Sequence, residues 1–203
     1  MSDNWYWYHL IATTYGAWLY GDSRGFRTRH HREHVEGDYK NPPPPGKYAE
    51  QERRSRESMP QESVVLPVAL RPVVGACVLE RLRGLGSLVI TISVSGQHLH
   101  VLAKMPFGEP RRWLGLAKRH VWFELRDRAW QGKLWGKRSK AIPVQDRKHQ
   151  LNTHHYILRH ARQGAWVWSI EQEKQAPLEE PPAPPVNRQA QGLRPLGRLD
   201  PRA

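Results

Sequence analysis

The run Ile90-Thr91-Ile92-Ser93-Val94-Ser95-Gly96-Gln97-His98-Leu99-His100-Val101-Leu102-Ala103-Lys104 constrains this chain more than any other stretch. Apolar and polar residues alternate on both sides of a glycine, the pattern of an antiparallel hairpin. Ile90, Ile92, Val94, Leu99, Val101 and Ala103 form a greasy face that demands helices against it. Thr91, Ser93, Ser95, His98, His100 and Lys104 form a polar face that is expected to lie open. Side chains two apart on a strand project the same way, so His98 and His100 stand side by side. Two imidazoles so placed can share one divalent metal ion. They can equally be solvated strand residues, and the choice needs further ligands from elsewhere in the chain.

The chain has 203 residues, enough for one domain or one domain plus a tail. No run approaches the ~18 apolar residues of a membrane helix, and Met-Ser-Asp-Asn-Trp is not a signal-peptide start. A single cysteine, Cys77, excludes an internal disulfide and a thiolate metal site, which fits a cytoplasmic setting. Lys and Arg outnumber Asp and Glu by 32 to 19, a formal charge of +13, so a polyanion is the expected partner and nucleic acid the default one. The excess is spread along the chain. Lys104, Arg111, Arg112, Lys118, Arg119, Lys137, Arg138 and Lys140 are the candidate DNA contacts, chosen by charge and position.

In chain order, residues 5–14 (WYWYHLIATT) are aromatic and β-branched and read as a first strand. Residues 21–63 are polar and irregular, with a tetraproline at 42–45, and read as a functional loop or inserted flap. The histidines His30, His31 and His34 read there as part of a basic loop. Val74, Cys77, Val78 and Leu82 share a helical stripe between about 67 and 83, ended by Gly84 and Gly86. The hairpin follows. A second helix from Glu109-Pro110 to about 127 buries Leu114, Ala117, Val121 and Leu125. A fourth strand spans the Lys133–Ile142 region. The order strand, helix, strand, strand, helix, strand, helix predicts an α+β fold. It is a ferredoxin-like βαββαβ antiparallel sheet with helices on one face, plus a C-terminal helix. Residues 172–203 are Pro-rich and predict a disordered tail behind a domain of residues 1–171.

Residues 144–163 form the last helix, stopped by Gly164. At ~100° per residue, Leu151, Leu158 and Ala161 share one stripe, while His149, Asn152, Tyr156, His160 and Gln163 share another. Tyr156 and His160 stand at i and i+4, close enough to act on one substrate.

His98-Leu99-His100 followed by Tyr156 on a late helix, in this order of elements, resembles the single-tyrosine HUH endonucleases. Bacterial insertion-sequence transposases and the REP-associated tyrosine transposases are the branch it resembles. Residues 8–19 (YHLIATTYGAWL) and Tyr156-Ile157-Leu158-Arg159-His160 with Gly164-Ala165-Trp166-Val167-Trp168 carry the likeness, which spans about residues 5–170. The resemblance implies a transposase that cleaves and rejoins single-stranded or hairpin DNA by transesterification through a 5′-phosphotyrosine link. It implies His98 and His100 as ligands of Mg²⁺ or Mn²⁺ and Tyr156 as nucleophile. Insertion-sequence relatives commonly carry Gln four residues after the tyrosine. This chain has His160 there, a further metal ligand that suits Mn²⁺ better than Mg²⁺. In such folds the tyrosine helix can come from a second subunit, so a homodimer is among the expected assemblies. The alternatives are a DNA-binding relative without the chemistry, and a basic RNA-binding protein whose histidines are structural.

Overall fold

A computed structural model describes residues 4–22, 24, 26–27, 34–35 and 44–175. Strand β1 (Trp5–Thr14) is followed by a small ribbon of β2 (Phe26–Arg27) and β3 (His34–Val35), then by helix α1 (Ala49–Glu57). A 3₁₀ turn (Val68–Leu70) leads into α2 (Arg71–Gly84), the hairpin β4 (Leu88–Val94) and β5 (His98–Pro106), and α3 (Pro110–Arg126). Strand β6 (Trp135–Pro143), α4 (Arg147–Arg159), a second 3₁₀ turn (His160–Gln163), β7 (Trp166–Ser169) and α5 (Ile170–Gln175) complete the order.

The main sheet is antiparallel throughout and ordered β6-β1-β5-β4-β7. Its first four strands have the arrangement of a split βαβ repeat. The α+β sheet expected from the sequence is therefore present, with one strand more: Trp166–Ser169 adds β7 beside β4. Gly75 of α2 makes that edge close-packed, because a Cβ there would lie 1.8 Å from the Trp166 ring. Within 21–63, α1 is a regular helix laced by Arg53–Glu50 and Arg54–Glu50 pairs, so this part is not irregular. Residues 172–175, expected to begin the tail, belong to α5, and 176–203 lie outside the described residues. Histidines 30 and 31 and the tetraproline's first two members also lie outside them.

Helices α2 and α3 cover one face of the sheet. Val74, Val78 and Leu82 of α2, with Leu114, Ala117, Val121 and Leu125 of α3, are buried against Leu10, Ile92, Val94, Leu99, Val101 and Ala103. Each fully buried Val, Leu or Ile side chain among them contributes about 1.5–3 kcal/mol. Ile90, expected in this layer, is absent from it. The pairing shifts between Val89 and Thr91, so Ile90 is the extra residue of a β-bulge and Val89 takes the core position. The hairpin glycine acts by close approach: a Cβ on Gly96 would sit 3.0 Å from the Val65 side chain, and its carbonyl accepts from Leu66 N at 2.7 Å.

The opposite face, expected to lie open, is partly covered by α4. Thr91 and Ser93 are fully buried beneath it. The inward face of α4 is Gln150, Thr153, His154 and Ile157, not the Leu151, Leu158 and Ala161 stripe; Leu151 is 40% exposed. The physical reason is that this helix packs on a polar sheet surface. His154 Nδ1 hydrogen-bonds Thr91 Oγ1, and its Nε2 lies 3.5 Å from Glu171 of α5. Asp146 starts α4 by accepting from His149 N at 2.7 Å, an N-cap in extended conformation. Among the described residues no helix is long and apolar enough to cross a membrane.

Candidate active site

Register decides which side chains meet on the α4 face. On β5, His100 pairs with Ile11 of β1 and with Ser93 of β4, and Ile11 pairs in turn with Lys140 of β6. Directly opposed residues share a face, so Lys140, Ile11, His100 and Ser93 form one row across the sheet. His98, opposite Thr13, begins the next row. His9 lies opposite Leu102 and is therefore the diagonal neighbour of His100.

Four imidazoles and one phenol gather along this row. His9 Nε2 and His100 Nδ1 are hydrogen-bonded at 3.1 Å, and both residues are buried. The His100 ring stacks on His160 at 4.7 Å between centroids and lies parallel to His98 at 6.2 Å. The last turn of the Tyr156 helix is tied down by the 3.2 Å contact of His160 Nδ1 with the buried Ser93 Oγ. Tyr156 is 41% exposed. Its ring centroid lies 4.7 Å from His160, 5.6 Å from His100 and 5.9 Å from His9.

Burial and mutual repulsion keep these imidazoles uncharged. Burial, then the neighbouring His160, His9 and His98, push His100 down to about 2. Burial, with His149 and His160 nearby, lowers His9 to about 4. His98 is lowered by burial and by Arg24, and His160 by burial and Arg159, the latter opposed by a hydrogen bond to the Ile157 backbone. Neutral imidazoles offer a lone pair each, as a base or as a metal ligand. The Nδ1 atoms of His100 and His160 are engaged by His9 and Ser93, so Nε2 is the nitrogen each has to offer. The donor chemistry suits a divalent ion. Among the described residues, however, no group of three or more His, Cys, Asp or Glu side chains is disposed as a cage for one. What the chain offers is a pair of imidazoles, and oxygen atoms of a substrate would have to complete the coordination.

Beside the histidines a cleft of about 1330 Å³ opens on the same face. Ile11 and Thr13 lie at its floor, His98 and His100 at one end, and Lys137, Arg138 and Lys140 along β6. The segment after β1 supplies the facing wall, including Trp18, Tyr20 and Arg24.

The candidate DNA contacts divide by place. Lys137, Arg138 and Lys140 are exposed and line this cleft. Lys104 shares the face of His100 but sits four residues on, about 13 Å along the strand. Lys118 is half-buried on α3, where its ammonium donates to the Gly136 carbonyl at 2.8 Å and meets Ser139 Oγ at 3.2 Å, and burial lowers its pKa. Arg111, Arg112 and Arg119 belong to the same helix, across the sheet from the histidines. Arg112 pairs with Glu109 at 2.9 Å, and the Arg119 guanidinium lies over Phe123.

Sequence reasoning missed His9, Trp18 and Arg24. The alternation of β1 puts His9, Ile11 and Thr13 on one side, but only the pairing with β5 shows that this is the side of His98 and His100.

No family model matches the chain, and no curated protein does. Among solved structures the chain is similar to a REP-associated tyrosine transposase bound to a REP hairpin, with a TM-score of 0.45 and 10% sequence identity, over 78% of this chain and 68% of that one.

Proposed function

We propose that this protein is a metal-assisted tyrosine endonuclease and strand transferase acting on single-stranded DNA, as transposases do. The observation that carries the reading is the Tyr156 phenol set among the rings of His9, His100 and His160, of which His100 also lines a cleft that carries three exposed cations. A partly exposed phenol beside neutral imidazoles has bases within reach and room for a substrate, which a structural tyrosine does not need.

In the proposed reaction Tyr156 Oη attacks a backbone phosphorus and the bond from phosphorus to the 3′-oxygen breaks. The phenol loses its proton to a neutral base, and the departing 3′-oxygen gains one. The product is a 5′-phosphotyrosine and a free 3′-hydroxyl, and the reverse attack rejoins strands without a nucleotide cofactor. His98 and His100 would hold a divalent ion, Mg²⁺ or Mn²⁺, and His160, stacked on His100, would have to turn toward it to serve as the further ligand. When bound, such an ion supplies charge that stabilises the phosphate oxygens in the transition state. The chain's own residues orient the parts: His9 fixes the ring of His100, Ser93 that of His160, and the α4 helix the height of Tyr156.

The lack of a three-donor cage among the described residues favours one second reading, a DNA-binding protein of the same architecture that does not cut. A denaturing gel separates the two. Incubation with single-stranded oligonucleotides from the DNA flanking the gene, with Mg²⁺ or Mn²⁺, is expected to give a covalent protein–DNA adduct. Tyr156→Phe and the pair His98→Ala/His100→Ala should abolish it while DNA binding persists. Tight binding without an adduct would establish the second reading.

A further inference from the structure

The cleft beside the histidines is walled by the segment that follows β1, including Trp18, Tyr20 and Arg24. Trp18 is a large aromatic residue left 44% exposed, and Tyr20 is equally exposed. The Arg24 guanidinium lies 4.4 Å from the Trp18 ring and is itself fixed by Asp22 at 2.5 Å and by the Ala17 carbonyl at 2.6 Å. The edge contact with His98, 6.3 Å between centroids, ties the indole to the histidine row. Lys137, Arg138 and Lys140 of the edge strand line the same cleft and are solvent-exposed.

An exposed indole braced by Arg24, in one cleft with three exposed cations, is the combination that single-stranded nucleic acids need: a π-face for a base and charge for the backbone. A duplex shows its bases only at their edges and gives an indole nothing to stack on. The volume, about 1330 Å³, exceeds the ~300–1,000 Å³ of ordinary small-molecule pockets, so a short polymer segment suits it better than a metabolite. We propose that this cleft is a single-strand channel. An unpaired DNA base stacks on the Trp18 wall, Lys137, Arg138 and Lys140 neutralise the backbone, and the strand is led to His98 and His100. Because Arg24, itself paired with Asp22, already lies against the indole, less side-chain freedom is lost on binding. The choice of DNA over RNA rests on the proposed function.

The test is a binding titration of the full chain with a fluorescent single-stranded DNA, its duplex, and an RNA of the same sequence, with 2-aminopurine placed at successive positions. Trp18→Ala is expected to weaken single-strand binding ~5–150-fold, the range of one lost stacking contact, to leave duplex binding unchanged, and to remove quenching at one 2-aminopurine position. Lys137→Gln/Arg138→Gln/Lys140→Gln, all at exposed sites, should reduce the slope of log affinity against log salt by about 2, given ~0.7 per phosphate on single strands. Trp18→Phe should restore part of the loss if stacking is the cause. Unchanged single-strand affinity in Trp18→Ala, or an unchanged salt slope in the triple variant, would overturn the channel. Tighter binding of RNA than DNA would overturn its assignment to DNA. Failure of the catalytic reading looks different: no covalent adduct forms, yet binding still depends on Trp18.

Discussion

Toward α2 and α3 the sheet presents Leu10, Ile92, Val94, Leu99 and Val101, while toward α4 it presents Thr91, Ser93 and His100. Both faces are buried over much of their area, but by different forces. The first is held by non-directional apolar contact, which any helix with the right stripe can satisfy. The second is held by hydrogen bonds of fixed geometry, His154 to Thr91 and His160 to Ser93, which set the rotation of α4 and hence where Tyr156 lies. The apolar face carries the stability, and the polar face fixes where Tyr156 stands.

Variants on the two faces should therefore separate stability from chemistry. The largest loss of stability is expected on the apolar side. Leu99→Ala opens a cavity in the central strand and should cost about 2–5 kcal/mol in urea unfolding, without altering the protein's metal or pH response. A loss under 1 kcal/mol would mean that the core collapses around the site, contrary to its close packing.

Next comes the pH response, which belongs to the polar side. His9 is held at about 4 in the fold, below the ~6.5 of an unfolded chain. Between these values the unfolded state binds more protons, so stability rises with pH there. It is fully present above ~6.5 and is lost as pH falls toward 4. In chelator-treated protein, His9 alone should cost roughly 2 kcal/mol between pH 7 and pH 5, with His100 acting in the same sense. His9→Gln should remove its share and leave that of His100. A urea midpoint that does not move over this range would contradict the neutral, buried histidine pair.

The smallest effect is at the start of the tyrosine helix. Asp146→Ala removes the N-cap bond to His149 N and should lower stability by ~1 kcal/mol, measured by thermal or urea unfolding. Its effect on adduct formation should exceed this share, because the cap helps hold α4 on a surface with few apolar contacts. Equal, small losses in both would show that the Thr91 and Ser93 contacts position the helix alone.

The same division explains what was legible in the sequence. The stripes of α2 and α3 and the apolar rows of β4 and β5 follow from periodicity, because an apolar residue's face is its role. The bulge at Ile90 broke that pattern: one inserted residue leaves Ile92 and Val94 on the expected face but moves the core position before them from Ile90 to Val89, and it leaves no local mark. On the other face periodicity misled. A helix that buries Gln150, Thr153 and His154 looks, by hydropathy, as though it should bury Leu151 and Leu158 instead. His98 and His100 were visible as a pair because they sit on one strand. His9 was not, because its partner is 91 residues away and the register that joins them is a property of the sheet. Trp18 and Arg24 were hidden for the same reason: their meaning lies in the wall they build opposite β6.

The most direct measurement is to identify the residue that carries DNA. The adduct formed with single-stranded substrate is digested with nuclease and trypsin, and the modified peptide is sequenced by mass spectrometry. A nucleotide on Tyr156, within the tryptic peptide of residues 149–159, is the expected result. A nucleotide on Tyr6, Tyr20 or any other side chain, or no modified peptide with substrate that is demonstrably bound, would contradict the assignment of the polar face as the catalytic one.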